Sequence, residues 1–188
     1  MGTDDHIMKQ RHPPKHRTVG RRRAPILVLA ALAFAVLSSD ARGQVVALGA
    51  SNTAGQGVGT SAAFPNVLQR LLRERGISAT VLNAGVSGDT TEQMLARLDS
   101  AVPAGTKVVI FQAGGNDARN INATGSTQEN IRAITGRLRA RGIQVVPAGP
   151  GLQAAMPGNL QRDGIHLTAR GHEIVAETLL PRVIEALR

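Results

Sequence analysis

The chain has 188 residues, a formal charge of +9 and no cysteine, so it holds about one domain and excludes disulfides, thiol catalysis, Cys-ligated zinc and a lipidated cysteine anchor. With three Phe and no Trp or Tyr, its core has to be built from Val, Leu, Ile and Ala. The positive excess does not mark a nucleic-acid binder: residues 1–43 carry 8 basic and 3 acidic side chains, and residues 44–188 carry 14 and 10, scattered as on solvated helix faces.

Residues 1–25 are polar and basic, with the run Arg21-Arg22-Arg23 and no apolar period. Ile26 to Leu37 is an uncharged apolar stretch of 12 residues, short of the roughly 20 that a spanning helix needs. Small residues follow at Ala41 and Gly43. Basic region, short apolar core and small-residue exit are the order of a secretory signal. The expectation is a leader over 1–43, removed to leave one domain over 44–188, in a periplasmic or secreted protein that meets the membrane only transiently. A retained N-terminal anchor is the alternative.

From Gln44 onward, short apolar runs alternate with amphipathic patterns. Strands are expected at Gln44–Leu48, Ser78–Leu82, Val108–Phe111 and Ile143–Ala148. Helices are expected at Phe64–Arg75, Thr91–Ala101, Thr127–Arg141 and Thr168–Leu187, with Thr168 as N-cap and a kink or restart at Pro181. This βαβ alternation predicts an α/β fold, a parallel sheet covered on both faces. Such sheets keep their sites at the carboxyl ends of the strands. That edge gathers the three Gly-, Asn- and Ser-rich loops, Gly49–Gly59, Asn83–Thr90 and Ala113–Ser126.

Asp163-Gly164-Ile165-His166 has a carboxylate three residues ahead of an imidazole. Such a pair makes a His a proton acceptor, because the carboxylate fixes its tautomer and stabilises the imidazolium. Its plainer reading is a helix cap and a surface His. Ser51, after the first strand, supplies the hydroxyl to be activated; its plainer reading is the N-cap of a tight turn. The turn lacks the G-x-S-x-G elbow, the phosphate loop and the dinucleotide fingerprint. Gly88 offers an unobstructed backbone N–H to an oxyanion, and Asn116 a side-chain amide; turn roles are the alternatives. Asp117 is expected to brace its loop. As a metal site, Asp163 and His166 lack two further histidines or carboxylates at ligand spacing; His172 lies on the following helix, six residues on. Together, hydroxyl, N–H donors and Asp-His base make a set for acyl transfer, with no metal or cofactor.

Four blocks in this order resemble the SGNH (GDSL-type) hydrolase family: Gly49-Ala50-Ser51, Asn83 to Thr91, Gly114-Gly115-Asn116-Asp117 and Asp163-Gly164-Ile165-His166. Met94-Leu95-Ala96-Arg97-Leu98 is similar to the helix after block two in its bacterial arylesterase, acyl-CoA thioesterase and lysophospholipase branch. The resemblance covers Val45 to the C-terminus. It implies a three-layer α/β/α, flavodoxin-like fold with a mostly parallel sheet of four to five strands. It implies Ser51 as nucleophile, Asp163 and His166 as the rest of a triad, and Ser51, Gly88 and Asn116 as the oxyanion hole. The substrate it implies is a small acyl ester or thioester. A carbohydrate O-acetylesterase and a non-catalytic binding module on the same fold are the alternatives. Two departures stand out. Ala50 replaces the family's Asp. Asn116 and Asp163 are only 47 positions apart, leaving room for a reduced or missing fifth strand, with Gly149–Arg162 as a short helix and loop and a shallow, open acyl pocket.

Overall fold

The computed structural model describes residues 43–119 and 126–188; the expected leader, but for Gly43, lies outside them. Four apolar runs form β1 (Gly43–Gly49), β2 (Ala79–Gly85), β3 (Thr106–Phe111) and β4 (Gln144–Pro147). All pairings are parallel, in the order β2-β1-β3-β4. Because β1 is covered on both faces, Val45 to Leu48 is a continuous apolar run with no exposed surface.

Successive β1 and β3 residues point to opposite faces and build two cores. Val45, Ala47, Val108 and Ile110 pack with α2 (Phe64–Glu74) and α7 (Ala169–Ala186) through Leu68, Leu72, Val175 and Leu179. Val46, Leu48, Val109 and Phe111 pack with α3 (Thr91–Ala96), α4 (Leu98–Ala101) and α5 (Thr127–Ala140) through Met94, Leu98, Ile134 and Leu138. The result is the expected three-layer α/β/α fold. Among the described residues no helix is long and apolar enough to cross a membrane.

The elements differ from expectation in three places, and in a fourth, after β4, they follow it. β2 runs on to Gly85, because Asn83 to Gly85 pair with Ala47 to Gly49 and satisfy the end of β1. The helix expected over Thr91–Ala101 divides at Arg97, which leaves helical geometry at φ −98°, ψ 10°. α7 continues through Pro181, which removes one backbone donor while Leu179, Leu180 and Val183 stay buried around it. After β4 the chain enters α6 (Gly149–Ala155) directly, so the described sheet has four strands.

The strand order reverses beside β1. Chain leaves β1 toward β2 on one side and reaches β3 on the other, which puts a crevice outside the carboxyl ends of β1 and β3.

Candidate active site

Ser51 stands at that crevice. It is the first residue of α1 (Ser51–Ala54), with Ala50 at the N-cap and no side-chain cap, so the Ser51 hydroxyl is not used in capping. The turn is tight. A Cβ on Gly49 would run into Thr53 Oγ1 and the Gln112 side chain, and one on Gly85 into the backbone of Ala54. Gln112 anchors the turn: its Oε1 accepts the Ala50 N–H at 3.2 Å and the Thr53 hydroxyl at 2.5 Å. Ala50 itself is buried.

Asp163 and His166 lie in a loop closed by an antiparallel bridge between Leu160 and Leu167. The Gln161 N–H donates to the His166 carbonyl at 2.7 Å, and the Thr168 N–H to the Asn159 carbonyl at 2.8 Å. Thr168 caps α7, as expected. Asp163 Oδ1 accepts the N–H groups of Ile165 and His166 at 2.9 and 3.0 Å, and its Oδ2 lies 2.6 Å from His166 Nδ1. The His166 backbone N–H, the His166 ring and the Ile165 N–H hold the Asp163 carboxyl down at about 2. An ionised carboxylate only accepts, so Nδ1 is the donor in this contact and Nε2 faces away from it.

Asn52 ties the two ends of the domain together. Its Oδ1 accepts the Leu167 N–H at 3.0 Å, and its amide donates to the Ile165 carbonyl at 3.3 Å. The residue after Ser51 thus holds the residues on both sides of His166. Gln161 adds a second tie, donating to the carbonyls of Gln56 and Leu167 at 2.8 Å each.

Asn116 and Gly88, the expected oxyanion donors, meet through Asp89. The Asn116 amide donates to the Asp89 carbonyl at 2.9 Å, next to Gly88, which is exposed at φ +88°. One N–H of that amide is therefore engaged, and the other has no partner among the described residues. Arg97 holds the same loop from behind: its Nε donates to Asp89 Oδ2 at 2.6 Å, and its Nη2 to the carbonyls of Gly49 at 3.2 Å and Ala84 at 2.9 Å. Thr90 caps α3 in a capping box with Gln93. Asp117 braces its loop as expected, accepting from the Thr91 N–H and the Thr91 and Thr127 hydroxyls.

Ser51 and Asn116 border one cleft of about 260 Å³, together with Gln112, Leu152, Met156 and Ile165. Gly88 and His166 do not border it, and no hydrogen bond joins Ser51 to His166. The structure thus pairs Asp163 with His166, links Asn116 to the Gly88 loop, and brings Ser51 to the His166 loop through Asn52.

Residues 47–161 match the GDSL-like lipase/acylhydrolase family. The chain belongs to that family. It is 33% identical over 129 residues to the Esterase TesA of Pseudomonas aeruginosa, covering 66% of this chain and 63% of that protein. It is 32% identical over 146 residues to the Thioesterase 1/protease 1/lysophospholipase L1 of Escherichia coli K12, covering 77% of this chain and 65% of that protein. It therefore spans less than two thirds of the length of either relative. Among solved structures, a crystal structure of TesA superposes with a TM-score of 0.68 at 24% identity, over 76% of this chain and 99% of that one. AlinE4, an SGNH-hydrolase family esterase, superposes with a TM-score of 0.57 at 27% identity, over 78% and 97%.

Within this GDSL-family fold, sequence reasoning missed the supporting residues. Asn52 and Gln112 carry no motif of their own, although each adjoins a block. Arg97 belongs to the run that resembles the family's post-block helix, but its role shows only in three dimensions.

Proposed function

We propose that this GDSL-family chain is a serine hydrolase of small acyl esters or thioesters, working through an acyl-Ser51 intermediate. One observation carries the reading: Asn52, adjacent to Ser51, hydrogen-bonds on both sides of His166 and so sets the hydroxyl turn against the Asp-His loop. His166 Nε2 takes the Ser51 proton as Oγ forms a bond to the carbonyl carbon. The oxyanion is received by the N–H groups of Ser51 and Gly88 and the free N–H of Asn116. His166 then protonates the leaving oxygen or sulfur as its bond to carbon breaks. Water, deprotonated by His166, attacks the acyl-enzyme and releases the acid. The Ser51–His166 hydrogen bond forms as substrate enters; such contacts are commonly loose without it. The basic and apolar leader favours action in the periplasm or outside the cell.

Ser51→Ala tests the assignment. It should abolish hydrolysis of p-nitrophenyl acetate and labelling by a fluorophosphonate while the circular dichroism spectrum stays that of wild type. A folded Ser51→Ala protein that keeps most of its turnover overturns Ser51 as nucleophile.

A further inference from the structure

α6 has two stripes with different neighbours. Gly151 and Ala155 are buried four residues apart, and a Cβ on Gly151 would meet Leu179 at 3.1 Å and Val175 at 3.2 Å. That stripe is seated on α7. Leu152 and Met156, also four apart and one position round the helix, border the Ser51 cleft instead, and Leu160 and Ile165 extend the same wall. Met156 is 42% exposed and Ile165 39%. Large apolar side chains left to water beside a reactive group mark a surface that an apolar ligand covers. Among the described residues no charged side chain borders the cleft.

We propose that the wall of Leu152, Met156, Leu160 and Ile165 binds the acyl chain of the substrate, with Met156 setting the preferred chain length. The inference rests on the hydrolase reading and adds the direction in which substrate lies. The leaving group has to reach His166, which protonates it, and His166 does not border this cleft. The carbonyl oxygen is directed to Asn116. The acyl chain is the part of the substrate left to enter the cleft, and an uncharged apolar wall suits it. The wall exists because β4 passes straight into α6, where a fifth strand and its helix are absent from the described residues. It is open on the Met156 side, so it favours unbranched acyl groups of medium length whose far end remains in water. Met is suited to such a rim, because its unbranched side chain adapts to chains of different length.

The test is a series of p-nitrophenyl esters from acetate to dodecanoate on the full chain, with Met156→Ser and Met156→Glu. Met156 is exposed, so neither change disturbs the core. Wild type should gain about twofold in kcat/KM per methylene, half-open burial giving less than the roughly fourfold of full burial, until the wall is covered. Both variants should lower the hexanoate-to-acetate ratio at least about fivefold, Met156→Glu the more. In a second series, acetate esters of alcohols of increasing length, the ratios should match wild type. A flat acyl profile with turnover that still needs Ser51 overturns the acyl wall and leaves the hydrolase reading standing. Variants that change the alcohol series instead of the acyl series overturn it as well, placing the leaving group on the wall. Loss of both turnover and Ser51 labelling in wild type overturns both readings together.

Discussion

Asn52 accepts the Leu167 N–H at 3.0 Å across 115 positions of chain, and this bond joins the start of the domain to its end. Leu167 is fully buried, so no water can replace the acceptor. Asn52→Ala should cost about 1–3 kcal/mol of stability, the penalty for an orphaned buried donor. It should also free the His166 loop, lowering kcat about 10- to 100-fold through misplacement of the base while KM changes little. Urea denaturation and steady-state kinetics on the same preparation check both.

Asp163 should matter through its charge and not through its own titration. Its folded pKa, about 2, lies below the ordinary 3.8, so the stabilisation of its ionised form is fully present above 3.8 and is lost as pH falls through 2. Between pH 4 and 8 the carboxylate stays ionised, so Asp163 should put no limb of its own on the rate profile there. Asp163→Asn should lower kcat by about 10²–10⁴, the range expected when the orienting carboxylate is removed and the tautomer is no longer fixed. A limb of the pH–rate profile between pH 4 and 8 that disappears in Asp163→Asn would contradict the first point; near-wild-type kcat in the variant would contradict the second.

Arg97 makes its three bonds to three separate segments: the end of β1, the end of β2 and the Asp89 loop. A single guanidinium thereby holds both the Ser51 turn and the Gly88–Asp89 loop that is proposed to receive the oxyanion. Arg97→Met should lower kcat about 10- to 100-fold with KM within about twofold, because the donors shift relative to the developing charge. Arg97→Lys should recover only part, since one ammonium cannot reproduce the planar fork. Equal losses in kcat/KM arising from KM alone would argue against a positioning role.

His172 makes stability depend on pH. It is fully buried, accepts the Phe64 N–H at Nδ1 at 3.3 Å, stacks on Phe64, and leaves Nε2 without a partner. Burial pushes its pKa from 6.5 to about 4. Between those values the unfolded chain binds a proton that the folded chain does not. Stability is therefore full above about pH 6.5 and declines toward pH 4, by something of order 2–3 kcal/mol. His172→Asn keeps an acceptor near the Phe64 N–H and removes the titration. Denaturation midpoints at pH 5 and pH 7 should differ clearly in wild type and much less in the variant, whatever its absolute stability.

The strands and the Asp163–His166 pair were legible because each is a local pattern: an apolar run, or two chemistry-bearing residues three apart. The bonds of Asn52, Gln112 and Arg97 were not. Most of their partners lie 48 to 115 positions away, and a short polar residue after a strand looks the same whether it turns the chain or clamps a distant loop. The division at Arg97 was hidden for a related reason: its charge reads as a solvent face, yet the guanidinium finds three acceptors inside. His172 carried no sign of its burial, which only the packing of α7 on Phe64 brings about. Pro181 signalled a break that the apolar stripe of α7 overrode. The shortened interval between Asn116 and Asp163 did announce the missing fifth strand, because a strand with its helix needs residues the chain does not have.

The bond between Asn52 and Leu167 also has a temporal meaning. β1 is one of the two inner strands of the sheet, and all four strands precede Asp163 in the chain. In the proposed reaction Ser51 has no base until the segment after β4 is in place. That segment runs into α7, which closes one of the two cores, so a C-terminal clip would take away the base and open that core together.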